Sequence, residues 1–300
     1  MTALTGFFES YYRLRPVNAT FTGVHDHDHR LPDWSPDGLA SAVDDMRRLR
    51  RALESARGSR PLEEVAARDG ELAITFLDVQ IAEHEGLHFQ RGNPSLAIGE
   101  VAFGVISLMT RPFAGVEARA AAAVSRLDAV PTFLAGACAA IAQGVPDPWR
   151  AKCLRECEGV DLLFRDGIAR WIEVESIPAP LARDLTRAAQ HACAGVDTFR
   201  GWFRNAAPAS PARTAAGPDM FDLLLIRGHW CERPRRDLAA DASAALYEAL
   251  ARLDERAREV APGGWPDVQR RLTDAHPAPG EYLATYQRIW DACQIGRAHV

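Results

Sequence analysis

Hydrophobic residues recur every three to four positions along almost the whole chain, and no stretch of useful length alternates apolar with polar residues as a half-buried strand would. A chain with that period hides its apolar side chains by packing helix on helix. The sequence therefore predicts an all-α, multi-helix array. Ser35-Pro36-Asp37 reads as an N-cap followed by proline at the first helical position, with Leu39, Val43, Met46, Leu49 and Leu53 on one face and Gly58 marking the far end. Further helices are expected at about 3–14, 62–90, 95–110, 115–142, 148–175, 179–203, 219–231, 238–260, 265–274 and 278–293. Their ends are punctuated by Asn93-Pro94-Ser95, Arg111-Pro112, Asp147-Pro148, Ile177-Pro178 and Gly263-Gly264-Trp265-Pro266. The segment 205–218, rich in Pro, Ala and Gly without a large apolar residue, is the expected loop.

Within this helical pattern, His84-Glu85-Gly86-Leu87-His88 is an HExxH string. On a helix that spacing sets His84 and His88 one turn apart as metal ligands, with Glu85 placed as the base that takes a proton from a zinc-bound water. Leu77, Ile81, His84 and His88 follow at steps of four, three and four, so both imidazoles fall on an apolar stripe. Such a stripe lines a dry metal pocket, or carries two hydrogen-bonded core histidines. A catalytic zinc also needs a third protein ligand. The next residues, Phe89-Gln90-Arg91-Gly92-Asn93-Pro94, supply no nearby His and end the helix at about Asn93, while Glu100 and Glu117 lack the usual spacing. The string is read as a structural pair on a core helix, with a zinc site as the alternative.

Three hundred residues, 47% hydrophobic and 25% charged, are enough for a substantial core in one large domain or two small ones. A net charge of -5 and a pI near 6.0 argue against nucleic-acid binding, which rests on a basic face. The runs 47–51 and 233–236 are rich in Arg, but Asp44, Asp45, Glu54 and Asp237 stand close enough to neutralise them. Six scattered cysteines form no CxxC; Cys153 and Cys157 share a helix face and read as buried free thiols. The opening 15 residues lack the apolar core of a signal peptide, and no apolar stretch is long enough to span a bilayer, so a cytoplasmic protein without a membrane partner is expected. In 23–34, GVHDHDHRLPDW, an extended backbone would place His25, His27 and His29 on one side as a possible metal set; a solvated turn is the other reading. No GxSxG elbow, P-loop or GxGxxG turn is present.

Several blocks in order resemble a known family. Residues 8–35, FESYYRLRPVNATFTGVHDHDHRLPDWS, are similar to the opening of the bacterial family of domain of unknown function 885. The resemblance continues through Arg91-Gly92-Asn93-Pro94-Ser95, Gly104-Val105-Ile106-Ser107-Leu108, Arg126-Leu127 with Pro131 and Phe133-Leu134-Ala135, and Asp274-Ala275-His276-Pro277. It implies a helical fold like that of zinc carboxypeptidases and oligopeptidases, with zinc as cofactor and a peptide-like substrate. It also implies a chain about twice this length, with an HExxPGHH-like motif in its second half that nothing here matches. The last six residues, Ile295-Gly296-Arg297-Ala298-His299-Val300, resemble one frame of a common sequencing adapter.

The expected organisation is thus residues 1–294 as the N-terminal helical portion of a larger single domain and 295–300 as a non-native tail. The leading expectation is an N-terminal fragment of a zinc-dependent peptidase-like hydrolase, inactive by itself and carrying no metal. The alternatives are a self-contained small zinc hydrolase using His84, Glu85 and His88, and a non-catalytic helical interaction protein. The sequence leaves the oligomeric state open.

Overall fold

The computed structural model describes residues 3–59, 64–141 and 144–297. Its contacts divide the chain into two compact units, Met1–Glu232 and Arg233–Val300. Both are all-α apart from one two-residue parallel pairing among the described residues, β1 (Val145–Pro146) with β2 (Pro208–Ala209). Of the two strands, β2 falls in the segment expected as loop. A 3₁₀ turn at Pro211–Thr214 follows it.

The first unit carries two cores. One is built on α1 (Ala3–Leu14), α3 (Pro36–Ser59) and α4 (Glu64–Glu85), where Phe7, Val43, Met46, Leu53, Ile74 and Leu77 meet. The other lies among α5 (Pro94–Thr110), α6 (Val116–Ala140), α7 (Asp147–Leu162), α8 (Ile168–Val174) and α9 (Ala179–Asn205). It buries Ile98, Leu127, Leu134, Phe164, Phe199 and Phe203. The expected helix at 148–175 is continuous in position, but a π-helical turn at Leu163–Gly167 joins α7 to α8. Cys153 and Cys157 are fully buried free thiols in this core.

Local chemistry explains the element ends. Ser35 Oγ accepts from Gly38 N at 3.0 Å, capping α3 as its sequence predicts. Asn93 caps α5 by accepting from Ser95 N at 3.1 Å, with Pro94 in the first turn where no N–H is needed. A short helix not expected from the sequence, α2 (Pro16–Thr22), starts on proline and closes on Gly23 at φ 90°, whose N–H returns to the last turn. Its seven residues, about two turns, are too few for periodicity to register.

The helix carrying His84 ends earlier than expected, at Glu85 rather than near residue 90. Gly86 is followed by turns through residue 92, and the chain folds back so tightly that a Cβ on Gly92 would sit 1.8 Å from the Leu87 carbonyl oxygen. The Arg91 guanidinium donates to the His84 carbonyl at 2.7 Å, satisfying an acceptor that a longer helix would have used. The expected ends near 62 and 142 fall outside the described residues.

The last part of the first unit is α10 (Pro218–Leu223), which passes into a π-helical turn at Leu224–Gly228. The second unit consists of α11 (Arg235–Val260), α12 (Trp265–Asp274) and α13 (Tyr282–Arg297). Helix α13 runs through Arg297, so the backbone does not break where the adapter-like tail begins; 298–300 lie outside the described residues. Within the second unit Ala257 and Ala261 are the buried hydrophobic residues among those described, while Leu246, Leu250, Leu253, Tyr286, Ile289 and Trp290 are exposed.

The most extensive helix pairing is between α6 and α9. Gly195 of α9 makes it possible, since a Cβ there would stand 2.9 Å from the Pro131 backbone and ring of α6. Neither atom belongs to a flexible side chain that could swing away. Gly195→Val is expected to lower stability by about 1–3 kcal/mol through overpacking, read as a reduced urea midpoint; an unchanged midpoint would show that the helices separate freely.

Candidate functional site

The early end of α4 changes what the HExxH string can do. His84 is buried and its Nδ1 donates to the Gln80 carbonyl at 2.8 Å, which fixes the neutral tautomer with the lone pair on Nε2. Glu85 is turned to the surface, where it pairs with Arg47 of α3 at 2.7 Å. His88, beyond the helix, packs edge-on to Trp149 at 5.1 Å, with its Nδ1 3.4 Å from the Arg213 carbonyl. The expected arrangement, with both imidazoles one turn apart on one helix face, is therefore not formed. The three side chains take separate partners, His84 within α4, Glu85 on α3 and His88 on α7. No group of three or more His, Cys, Asp and Glu side chains that could hold a metal occurs among the described residues.

The His-rich segment is also not extended. Residues 26–29 are turns, His25 stacks on Phe113 at 3.7 Å, and its Nδ1 meets Asp28 at 3.0 Å. An Asp-rich turn that bonds locally gives up the alternation that would have aligned His25, His27 and His29. Burial and the nearby Arg30 lower the His27 pKa. The arginine runs are paired as their spacing suggested: Arg48 with Asp45, Arg50 with Glu54, and Arg236 with Asp237.

What the first unit does assemble is a polar cluster between α1, α2, α4, α5 and α6. Arg126 of α6 has no exposed surface. It donates to the carbonyls of Gly104 (2.6 Å), Arg30 (3.0 Å) and Pro16 (3.2 Å), and to the hydroxyls of Thr20 (2.7 Å) and Ser107 (3.2 Å). Thr20 in turn donates to Asp28 at 2.6 Å, which joins Arg126 to the His25 turn. Burial brings the Arg126 pKa down to about 10, still far above neutrality. A second cation, Arg15, bonds the Gln80 side-chain oxygen and lies over the rings of Tyr11 (4.8 Å) and Phe76 (5.4 Å). The Gln80 amide nitrogen donates to Glu83.

Two carboxyl groups share the field of these arginines. Burial pushes Glu100 up to about 7, with Arg126 and Arg15 pulling the other way. Burial also raises Glu83, opposed by its bond from Gln80 and by Arg15. His84 is driven down to about 4, first by burial and then by the charges of Arg15 and Arg91. Glu100, a carboxyl held near neutrality beside fixed cations, is a group that can take up or release a proton at physiological pH. Arg126 could be found in the sequence, because Arg119, Ala123, Arg126 and Val130 lie on the buried stripe of α6, where an arginine must have an internal job. Glu83 and Glu100 gave no such signal.

Residues 16–295 match the family described as "Bacterial protein of unknown function (DUF885)", and the chain belongs to that family. Among solved structures it is similar to a protein described as a "putative lipoprotein of unknown function from Shewanella oneidensis", with a TM-score of 0.66 at 13% identity. That alignment covers 95% of this chain and 50% of the other, so the chain spans about half the length of the protein it resembles. At that identity the likeness concerns the fold. No curated protein matches the sequence.

Opposite pH slopes follow from the cluster. Glu100, raised from 4.5 to about 7, favours the folded state at low pH, and that contribution is lost as pH rises across this window. His84, lowered from 6.5 to about 4, favours the folded state at high pH, and its contribution is lost as pH falls across that range. Glu100→Gln should therefore leave a stability that drops on acidification between pH 6.5 and 4 more steeply than in the unsubstituted chain, read by urea unfolding at several pH values. An unchanged profile would mean that Glu100 is ordinary in the folded state.

Proposed function

We propose that this chain is the N-terminal helical portion of a zinc-dependent, peptidase-like hydrolase that acts on a peptide-like substrate, and that it supplies a wall of the substrate channel rather than the metal. The observation that carries this reading is the second unit. Leu246, Leu250 and Leu253 of α11 stand at i, i+4 and i+7, and Tyr282, Tyr286, Ile289 and Trp290 mark one face of α13, all exposed. Apolar helix faces of this kind are stable in water when something covers them. Further chain of a family-length protein is the cover proposed here, and the relative of twice the length supports it.

The cluster around Arg15 and Arg126 fits a supporting role, since Glu100 has proton-exchanging character but no group of His, Cys, Asp and Glu side chains that could hold a metal occurs among the described residues. The free thiols fit a reducing compartment, the cytoplasm. No helix among the described residues is long and apolar enough to cross a membrane.

Metal analysis and hydrodynamics of the purified chain test the reading together. Substoichiometric zinc and self-association through the apolar faces are expected, and the source locus should continue in frame past Gln294. Stoichiometric zinc that disappears in both His84→Ala and His88→Ala would move the activity to His84, Glu85 and His88. A metal-free, stable oligomer from a gene that ends at this point would instead indicate a helical interaction protein.

A further inference from the structure

Beside the polar cluster, the first unit holds a cavity of about 520 Å³ between α1, α4 and the π-helical turn after α10, within the range that takes a small organic ligand. Its walls are aromatic: Phe7, Phe8 and Tyr11 come from α1, Phe76 from α4, and Trp230 from beyond the turn. Phe7 and Phe76 meet edge to face at 5.9 Å, and Tyr11 and Phe76 lie 5.5 Å apart. The wall is thus a packed set of rings.

The mouth is built with some strain. Trp230 has φ 53°, a left-handed conformation that bulky side chains rarely adopt. Two wide-spaced hydrogen bonds hold it there, His229 N to Leu224 O at 2.9 Å and Cys231 N to Leu225 O at 2.7 Å. Nothing in this hydrogen bonding needs an indole. The ring lines the cavity yet remains 54% exposed, so it is not placed for core packing alone. Strained backbone and single π-helical turns recur where a side chain has to be aimed at a ligand.

Tyr11, Thr75, Gln80 and Arg227 of the lining are already engaged. Arg227 lies 3.3 Å from Asp78, Thr75 donates to Leu72 O at 3.0 Å, and both ends of the Gln80 amide are bonded to Arg15 and Glu83. A ligand therefore finds ring faces and edges, while the arginine of the lining, Arg227, is already paired with Asp78. The exposed carboxylate of Asp69 at the lining further disfavours an anion.

We propose that this cavity is a binding site for a neutral aromatic group, a fused bicycle or a ring with a short chain, clamped between Trp230 and the rings of α1 and α4. The site is independent of the hydrolase reading, since it uses none of His84, Glu85 or His88 and needs no metal.

Indole titrated into the full chain with labelled Leu and Val methyls tests it. The resonances of Leu4, Leu72 and Val79, which line the cavity, should shift together and saturate. Trp230→Ala should weaken binding by about tenfold or more, as truncating a ring anchor does, and Trp230→Phe should retain most of it. Leu72→Trp fills the mouth and should abolish binding, so the proposal stays testable if Trp230→Ala folds poorly. Phe103→Ala, an exposed ring outside the cavity, should leave binding unchanged. Shifts confined to other methyls, equal affinity in Trp230→Ala, or indole-3-acetate binding as tightly as indole would each overturn the proposal.

Discussion

A guanidinium with no access to water holds the N-terminal segment onto the helical core. Arg126 cannot shed its charge at neutral pH, and a buried charge without partners would cost several kcal/mol. The structure meets that demand by bringing carbonyls and hydroxyls to it from α2, the 23–31 segment and α5. Because those acceptors come from chain positions 16 to 107, one side chain fixes where three elements cross. Arg119, seven residues earlier on the same face of α6, does a related task, donating to the Leu108 carbonyl at 2.9 Å near the end of α5 and reaching Glu175 at 3.2 Å. The interior of the first unit is therefore set by two arginines as well as by its apolar side chains.

That arrangement also sets the chemistry nearby. Glu100 stands in the field of Arg126 and Arg15 yet is buried deeply enough that its proton is held to about pH 7. His84, also buried and in the field of Arg15 and Arg91, is kept neutral. The same buried environment thus shifts a carboxylic acid up and an imidazole down, as removal of water from both predicts. The aromatic cavity adjoins this cluster through Gln80 and Tyr11, which belong to both.

The helical architecture was legible because amphipathic helices of 10 to 27 residues impose a period that survives without any tertiary information. Caps written in short-range chemistry, at Ser35 and Asn93, were legible for the same reason. The reading of His84-Glu85-Gly86-Leu87-His88 as a single helical face was not, because helix extent there is decided at a distance. Arg213 donates to the Leu87 carbonyl at 3.2 Å from 126 positions along the chain, and Gly92 folds back against that same carbonyl. Glu83 and Glu100 acquire their character only from arginines that the fold delivers. Trp230 owes its position to a π-helical turn, for which local sequence carries no clear signature.

If Arg126 is what pins the N-terminal segment, its removal should free that segment selectively rather than melt the unit as a whole. Amide hydrogen exchange in Arg126→Lys, which keeps a positive charge but has one nitrogen instead of a fork, reads this directly. Protection should fall across residues 16–31 while α7 and α9 keep theirs. Unchanged exchange in 16–31, or a uniform loss across all helices, would contradict the role assigned to Arg126.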